Sequence, residues 1–127
     1  MKTGNEILKR SLSLIGEVLQ EENDNLKEKS VELLNLILSQ LYELELSLRG
    51  ERREEAEKIP QITSLSDPIT FSEPILYTLM PLGLAGYLLN EEEPARSSFY
   101  LNLYHTEREL LRARCKRSRR HKISRSF

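Results

Sequence analysis

The sequence predicts an all-α chain: a small bundle of about four helices, an extended Pro-rich strap between the second and third, and an extended basic C-terminal arm. Three observations carry this. Apolar residues recur at intervals of three and four through most of the chain. The composition is rich in Leu, 31% charged and only 6% aromatic, with no Trp, which favours helices over sheets. Three of the five prolines fall within residues 59–74, so the one stretch unfit for a helix is confined. At 127 residues the chain is long enough for one modest core. The expected division is a helical domain over 1–111, which includes the strap, and an arm over 112–127.

The first helix is expected to start at Thr3, where Thr3-Gly4-Asn5-Glu6 has capping-box spacing. Leu8, Leu12, Ile15 and Leu19 form its buried stripe, widened by Ile7, Leu14 and Val18. Asn23, Asp24 and Asn25 interrupt the pattern and can cap the next helix. In that second helix Leu34, Ile37, Leu41, Leu44 and Leu48 alternate by three and four, while Val31, Leu33, Leu36, Leu38, Tyr42 and Leu46 occupy other faces. So many apolar positions imply contact on more than one side. Leu33, Leu36 and Leu46 are therefore assigned to a subunit interface, and Gly50 to the helix end. The run 51–58 is nearly all charged and reads as a frayed extension or a solvated loop.

In the strap, Ile62, Leu65, Ile69 and Phe71 recur regularly, so it is expected to pack instead of dangling. The third helix follows, with Ser72 as N-cap, Pro74 in its first turn and Pro81 as a kink. Gly83 and Gly86 suit close helix packing in preference to a hinge. Glu91-Glu92-Glu93 precedes Pro94, which opens the fourth helix, and acids there suit a helix N-terminus better than a metal cluster. Phe99, Leu103 and Leu110 share a stripe in that helix, with Tyr100, Tyr104 and Leu111 beside it. Beyond Leu111 no packing face remains, so the arm is expected to be ordered only by a partner.

No catalytic, cofactor or metal-binding residues are assigned. His105 and His121 have no second ligand at metal spacing, and no phosphate loop, nucleophile motif or Cys-His pair occurs. The single Cys115 excludes an internal disulfide and is expected of a reducing compartment. The apolar stretch 74–90 is short and broken by Pro81, Gly83 and Gly86, and Lys2, Glu6, Lys9 and Arg10 lie where a signal peptide would be apolar, so neither a membrane span nor a leader is expected.

Charge is the concentrated feature. The net of −1 conceals eight Lys or Arg and no acids from Leu110 onward, against 11 basic and 20 acidic residues before it, a net of −9. Arg112, Arg114, Lys116, Arg117, Arg119, Arg120, Lys122 and Arg125 are the expected partner-binding residues. Such a cluster suits an acidic protein surface, through carboxylate pairing, or nucleic-acid phosphates, through counterion release, or stands as a solvated tail.

Three segments resemble those of head-tail connector (adaptor) proteins of tailed bacteriophages. Ile7-Leu8-Lys9-Arg10-Ser11-Leu12-Ser13-Leu14-Ile15-Gly16 is similar to their opening helix, and Ile62-Thr63-Ser64-Leu65-Ser66-Asp67-Pro68-Ile69 to the strap before their third. Leu79-Met80-Pro81-Leu82-Gly83-Leu84-Ala85-Gly86-Tyr87-Leu88-Leu89, an acidic break, then Phe99 and Tyr104 on a charged helix, resembles their final hairpin. The resemblance implies a structural virion protein at the neck, assembled in the host cytoplasm. Such subunits form a homo-oligomeric ring, commonly of twelve, beneath the portal protein, and dock the tail or a stopper. DNA passes through the channel without specific binding, and no membrane is involved. Residues 112–127 would grip the portal, and the second and fourth helices would supply subunit contacts. Unlike many members, this chain has only a short charged loop and strap between its second and third helices. The alternative is a small helical nucleic-acid-binding or regulatory protein that uses its basic tail, although the body is acidic and lacks an evident helix-turn-helix. A coiled-coil module would need a longer heptad run than the second helix offers.

Overall fold

The structure, a computed structural model, describes residues 2–17, 23–50 and 58–125, with side chains as far as Arg117. Among the described residues four helices, α1 (Gly4–Leu14), α2 (Asp24–Arg49), α3 (Met80–Leu89) and α4 (Pro94–Arg125), make an all-α bundle, with a π-helical turn over Ile75–Leu79 leading into α3. The described residues contain no β-strand, only an isolated antiparallel bridge between Thr3 and Pro68. The apolar α3 is central and touches each of the other three helices, and Leu84 and Ala85 within it are fully buried.

Thr3 does occupy the N-cap of α1, but its side chain makes no capping bond. The strap substitutes for the expected capping box. Leu65 O accepts from the Asn5 N–H at 2.8 Å, and the Ile69 N–H donates to Lys2 O at 2.8 Å, so one orphan donor of the helix start is satisfied across the fold. Gly4 makes the approach possible, because a Cβ there would lie 3.1–3.2 Å from Leu65, its backbone included.

At its other end α1 stops sooner than the apolar periodicity predicts. Gly16 adopts φ +79°, and the Glu17 N–H donates to Leu12 O at 2.8 Å while the Gly16 N–H donates to Ser13 O at 3.2 Å. This is a Schellman motif, in which a left-handed glycine satisfies the last carbonyls and turns the chain away. Leu14 itself, about 200° around the helix from the buried Leu12, faces solvent. Val18 and Leu19 lie outside the described residues.

α2 begins and ends where its punctuation places it. The Asn23 side chain accepts from the Leu26 N–H at 3.0 Å, and Gly50, at φ +74°, donates to Leu46 O and Ser47 O. The subunit-interface assignment on α2 requires correction at Leu46, which is only 3% exposed within its own chain. Leu46 lies four residues from Tyr42 and eleven from Asn35, on the side the strap covers. The extra apolar face is thus partnered internally. Leu33 is half-buried against the core, and Leu36, 44% exposed, remains outward.

The strap is fastened by polar side chains of α2 as well as by its own buried Ile62, Leu65, Ile69 and Phe71. The Asn35 amide mimics a strand partner: its Oδ1 accepts from the Ile62 N–H at 2.8 Å, and its Nδ2 donates to Ile62 O at 2.9 Å. Ten residues on, the buried Glu45 carboxylate accepts from the Ser72 N–H at 2.6 Å and the Ser72 hydroxyl at 3.1 Å. Arg49 Nε closes the site with a charge-assisted bond to the same carboxylate, while its Nη2 donates to Thr70 O at 3.1 Å. Between these anchors Asp67 Oδ2 accepts from the Thr63 N–H, the Thr63 hydroxyl and the Ser64 N–H at 2.8, 3.1 and 3.1 Å. Those donors hold its pKa below the ordinary aspartate value.

Ser72 starts the third helical segment through its carbonyl, which accepts from the Ile75 and Leu76 N–H groups, both at 3.0 Å. Pro81 acts by removing a donor. Without its N–H the preceding turn widens into the π segment, where the Met80 N–H donates to Ile75 O. Tyr77 O, which an ordinary residue at 81 would have bonded, instead accepts from Arg10 Nη1 at 3.1 Å. Ser11, fully buried, lies with its hydroxyl 3.0 Å from Pro81 O, tying α1 to the same joint.

Candidate functional site

The basic segment is not an extended arm. It continues α4, which is helical from Pro94 to Arg125, a rod of about 48 Å at 1.5 Å per residue. Arg, Lys and Ala are good helix formers, and once the packed first half supplies the nucleus each further residue adds a hydrogen bond.

That first half is fixed tightly. A Cβ on Gly86 would come within 2.7 Å of the Leu101 side chain and 3.2 Å of its backbone nitrogen, and one on Gly83 within 3.1–3.2 Å of the Tyr104 ring. Both glycines are therefore packing sites for α3 against α4, as their spacing predicts. The buried Ser97 hydroxyl donates to Gly86 O at 2.7 Å. Tyr104, fully buried, donates its hydroxyl proton to Gln40 Oε1 at 2.7 Å, and Gln40 Nε2 reaches the Tyr87 hydroxyl at 2.9 Å. Burial raises the Tyr104 pKa above the ordinary phenol value, against the opposing influence of Arg108. At its start, α4 closes α1: Arg96 Nη2 donates to Ile15 O at 3.0 Å and the Tyr100 hydroxyl to Leu14 O at 2.8 Å.

Contact with the body fades near Cys115, which is half-buried against the core. There Arg112, Cys115 and Lys116 line a shallow groove with Glu43, Leu44 and Ser47 of α2. Arg112, Arg114, Lys116 and Arg117 are all exposed. Arg112 pairs with Glu109 at 3.2 Å. The side chains of Arg119, Arg120, Lys122, Arg125 and His121 lie outside those described.

The apolar residues of α4 form two stripes about 100° apart, one packed and one outward, not one broad stripe. Tyr100, Leu101, Tyr104, Leu111 and Cys115 pack against the core, whereas Phe99, Leu103 and Leu110 are 58%, 37% and 45% exposed. The sequence holds the signal for this, since 99, 103 and 110 and 100, 104 and 111 are two parallel series. Adjacent helix positions differ by about 100°, however, and a single wide face absorbs both sets when neighbours are unknown.

His105 is exposed, with its ring 5.3 Å from that of Tyr104. Glu93 pairs with Arg96 at 3.0 Å and Glu91 with Lys29 at 3.9 Å, beside the start of α4. Among the described residues no group of three or more His, Cys, Asp or Glu is placed to hold a metal ion, and no helix is long and apolar enough to cross a membrane. In comparisons with family models, curated proteins and solved structures, none matches this chain.

Proposed function

We propose that this chain is a structural subunit of a tailed-phage neck: a head-tail connector that forms a ring beneath the portal, extends the DNA channel and docks the tail or a stopper. The observation that carries the proposal is the charge division displayed on a continuous helix. The chain before Leu110 has a net charge of −9, which repels DNA and suits a conduit wall. The basic segment leaves the body on a helix whose first half is packed against α3, so its direction is set by the body. Guanidinium groups presented in that way pair with acidic grooves of a neighbouring protein, and repetition around a ring multiplies weak single contacts. The outward Leu36 supports a subunit contact on α2, with the half-buried Leu33 next to it.

The decisive experiment removes residues 117–127, a cut placed beyond Cys115 so that its packing is kept. The truncated protein is expected to keep its helical body and lose attachment to the portal, while attachment by the intact protein weakens as salt rises. A specific observation favours a second reading. A continuous basic helix without acids beyond Glu109 is also a shape that follows a nucleic-acid groove. If the truncated protein still joins the portal and the intact one binds duplex DNA tightly at physiological salt, the nucleic-acid reading replaces the connector.

A further inference from the structure

We infer that the subunit contact on α2 joins unlike surfaces, and that the surface across it is the outer side of α1 in the next copy of this chain, where Lys2, Lys9 and Arg10 surround Tyr77. This rests on the connector reading, because a closed ring of more than two copies needs two different faces on each subunit. The chemistry of the α2 face states what the other must be.

On α2 an acidic row leads up to the outward leucine. Asp24, Glu28, Glu32 and Leu36 follow at intervals of four on one ridge of the helix, and all are exposed. Among the described residues none of the three acids is ion-paired, and carboxylates one turn apart repel one another. A second copy meeting this ridge with its own α2 would set acid against acid, so a two-fold contact there is disfavoured. The complement is a basic surface with an apolar centre.

The described cations that precede α4 are few enough to take in turn. Arg49 is committed to Glu45, Lys29 pairs with Glu91 at 3.9 Å, Lys27 is already engaged, and Lys58 is a single charge just before the strap. On α4, Arg96 is taken by Glu93, Arg108 and Arg112 lie against Glu109, and those beyond belong to the basic end assigned above to the portal. Lys2, Lys9 and Arg10 remain. They line one shallow groove with Glu6 and Ser13, three cations against a single acid, and among the described residues none of the three is ion-paired.

Two of these cations are held in place. Lys2 Nζ lies 3.7 Å and Arg10 Cζ 4.9 Å from the centre of the Tyr77 ring. Arg10 also gives one of its five N–H donors to Tyr77 O. Tyr77 is itself 40% exposed. This side of the molecule therefore shows an exposed ring among cations, where α2 shows an exposed leucine beside acids. In the contact Leu36 covers Tyr77, and Glu32 and Glu28, one and two turns from it, meet Arg10 and Lys9.

Two charge variants, separate and mixed, test this, because a contact between unlike faces can be repaired in trans. Lys9→Glu and Glu32→Lys each change an exposed side chain, so helicity should be unchanged. Alone, each should raise the concentration for half-assembly by about tenfold or more at low salt, measured by sedimentation velocity. Mixed in equal amounts they should assemble as the unmodified chain does, since each offers the charge the other lacks, and one chain carrying both changes should do the same. In a Cys115→Ser background, Leu36→Cys mixed with Tyr77→Cys should form an intermolecular disulfide that neither forms alone. Single variants that assemble normally, a mixture that stays unassembled, or crosslinking by Leu36→Cys alone would overturn the inference. So would a chain that stays monomeric at every accessible concentration. Each of these outcomes leaves the connector reading intact, since attachment to the portal tests that separately.

Discussion

The strap of residues 59–74 and the basic end of α4 are two segments whose sequences lack a helical packing face, and their order has opposite origins. The strap is shaped by bonds that reach out to α1 and α2: Leu65 to Asn5, Ile62 to Asn35, Ser72 to Glu45. The basic end is shaped by its own ladder of backbone bonds, continued from a packed helix. A segment can thus be specified by its surroundings or by its upstream neighbours. The two respond differently to substitution.

The largest effect is expected at Glu45. Glu45→Ala removes the acceptor of the Ser72 N–H and the partner of Arg49 in a fully buried position, so unfolding free energy should fall by about 2–4 kcal/mol, measured by urea titration. If the loss is no larger than that of a surface substitution, the strap is held by apolar burial alone. Gly86→Ala strikes the other region at its root, where a Cβ would meet Leu101 at 2.7 Å. The expected cost is about 1–3 kcal/mol from overpacking, seen as a lower thermal midpoint. Asn35→Ala leaves both backbone groups of Ile62 without their side-chain partner and should cost about 1–2 kcal/mol, with faster amide exchange confined to the strap.

Asp67 sharpens the comparison through pH. Its folded pKa lies below the ordinary aspartate value, so its contribution is complete above that ordinary value, near 3.9, and is lost as pH falls through the lowered one. Asp67→Asn should flatten this acid limb of the stability curve. The smallest effect on stability belongs to the basic end: Arg117→Pro should reduce the helical signal by circular dichroism while shifting the thermal midpoint by no more than about a degree, because no described packing lies beyond it. A large fall in the midpoint would mean that the distal helix is held by the body after all.

The fold's elements were legible where local chemistry decides alone. Gly50 and one of the three candidate caps, Asn23, bound α2 in space, and Gly83 with Gly86 announced a close helix approach that α4 makes. The end of α1 was not legible, because Leu19 continues an apolar rhythm that Gly16 overrules with one backbone angle. Asn35 and Glu45 escaped notice because a polar residue amid leucines reads as a solvent-facing position until its distant backbone partner is known. The same ignorance of neighbours placed Leu46 at an interface that the strap already covers, and merged the two faces of α4. Polar side chains that serve remote backbone are determined by three-dimensional context and leave no periodic trace.

The closure of α1 by α4 also bears on how fast the chain folds. The carbonyls of Leu14 and Ile15 are bonded by Tyr100 and Arg96, more than 80 residues away in sequence. A helical bundle ordinarily folds quickly because its contacts are local, but here the end of the first helix is completed only when the fourth has docked. The rate-limiting step is therefore expected to contain that long-range docking. Tyr100→Phe, which deletes one terminal bond and little apolar surface, should slow folding about as much as it destabilises the protein, and leave unfolding almost unchanged.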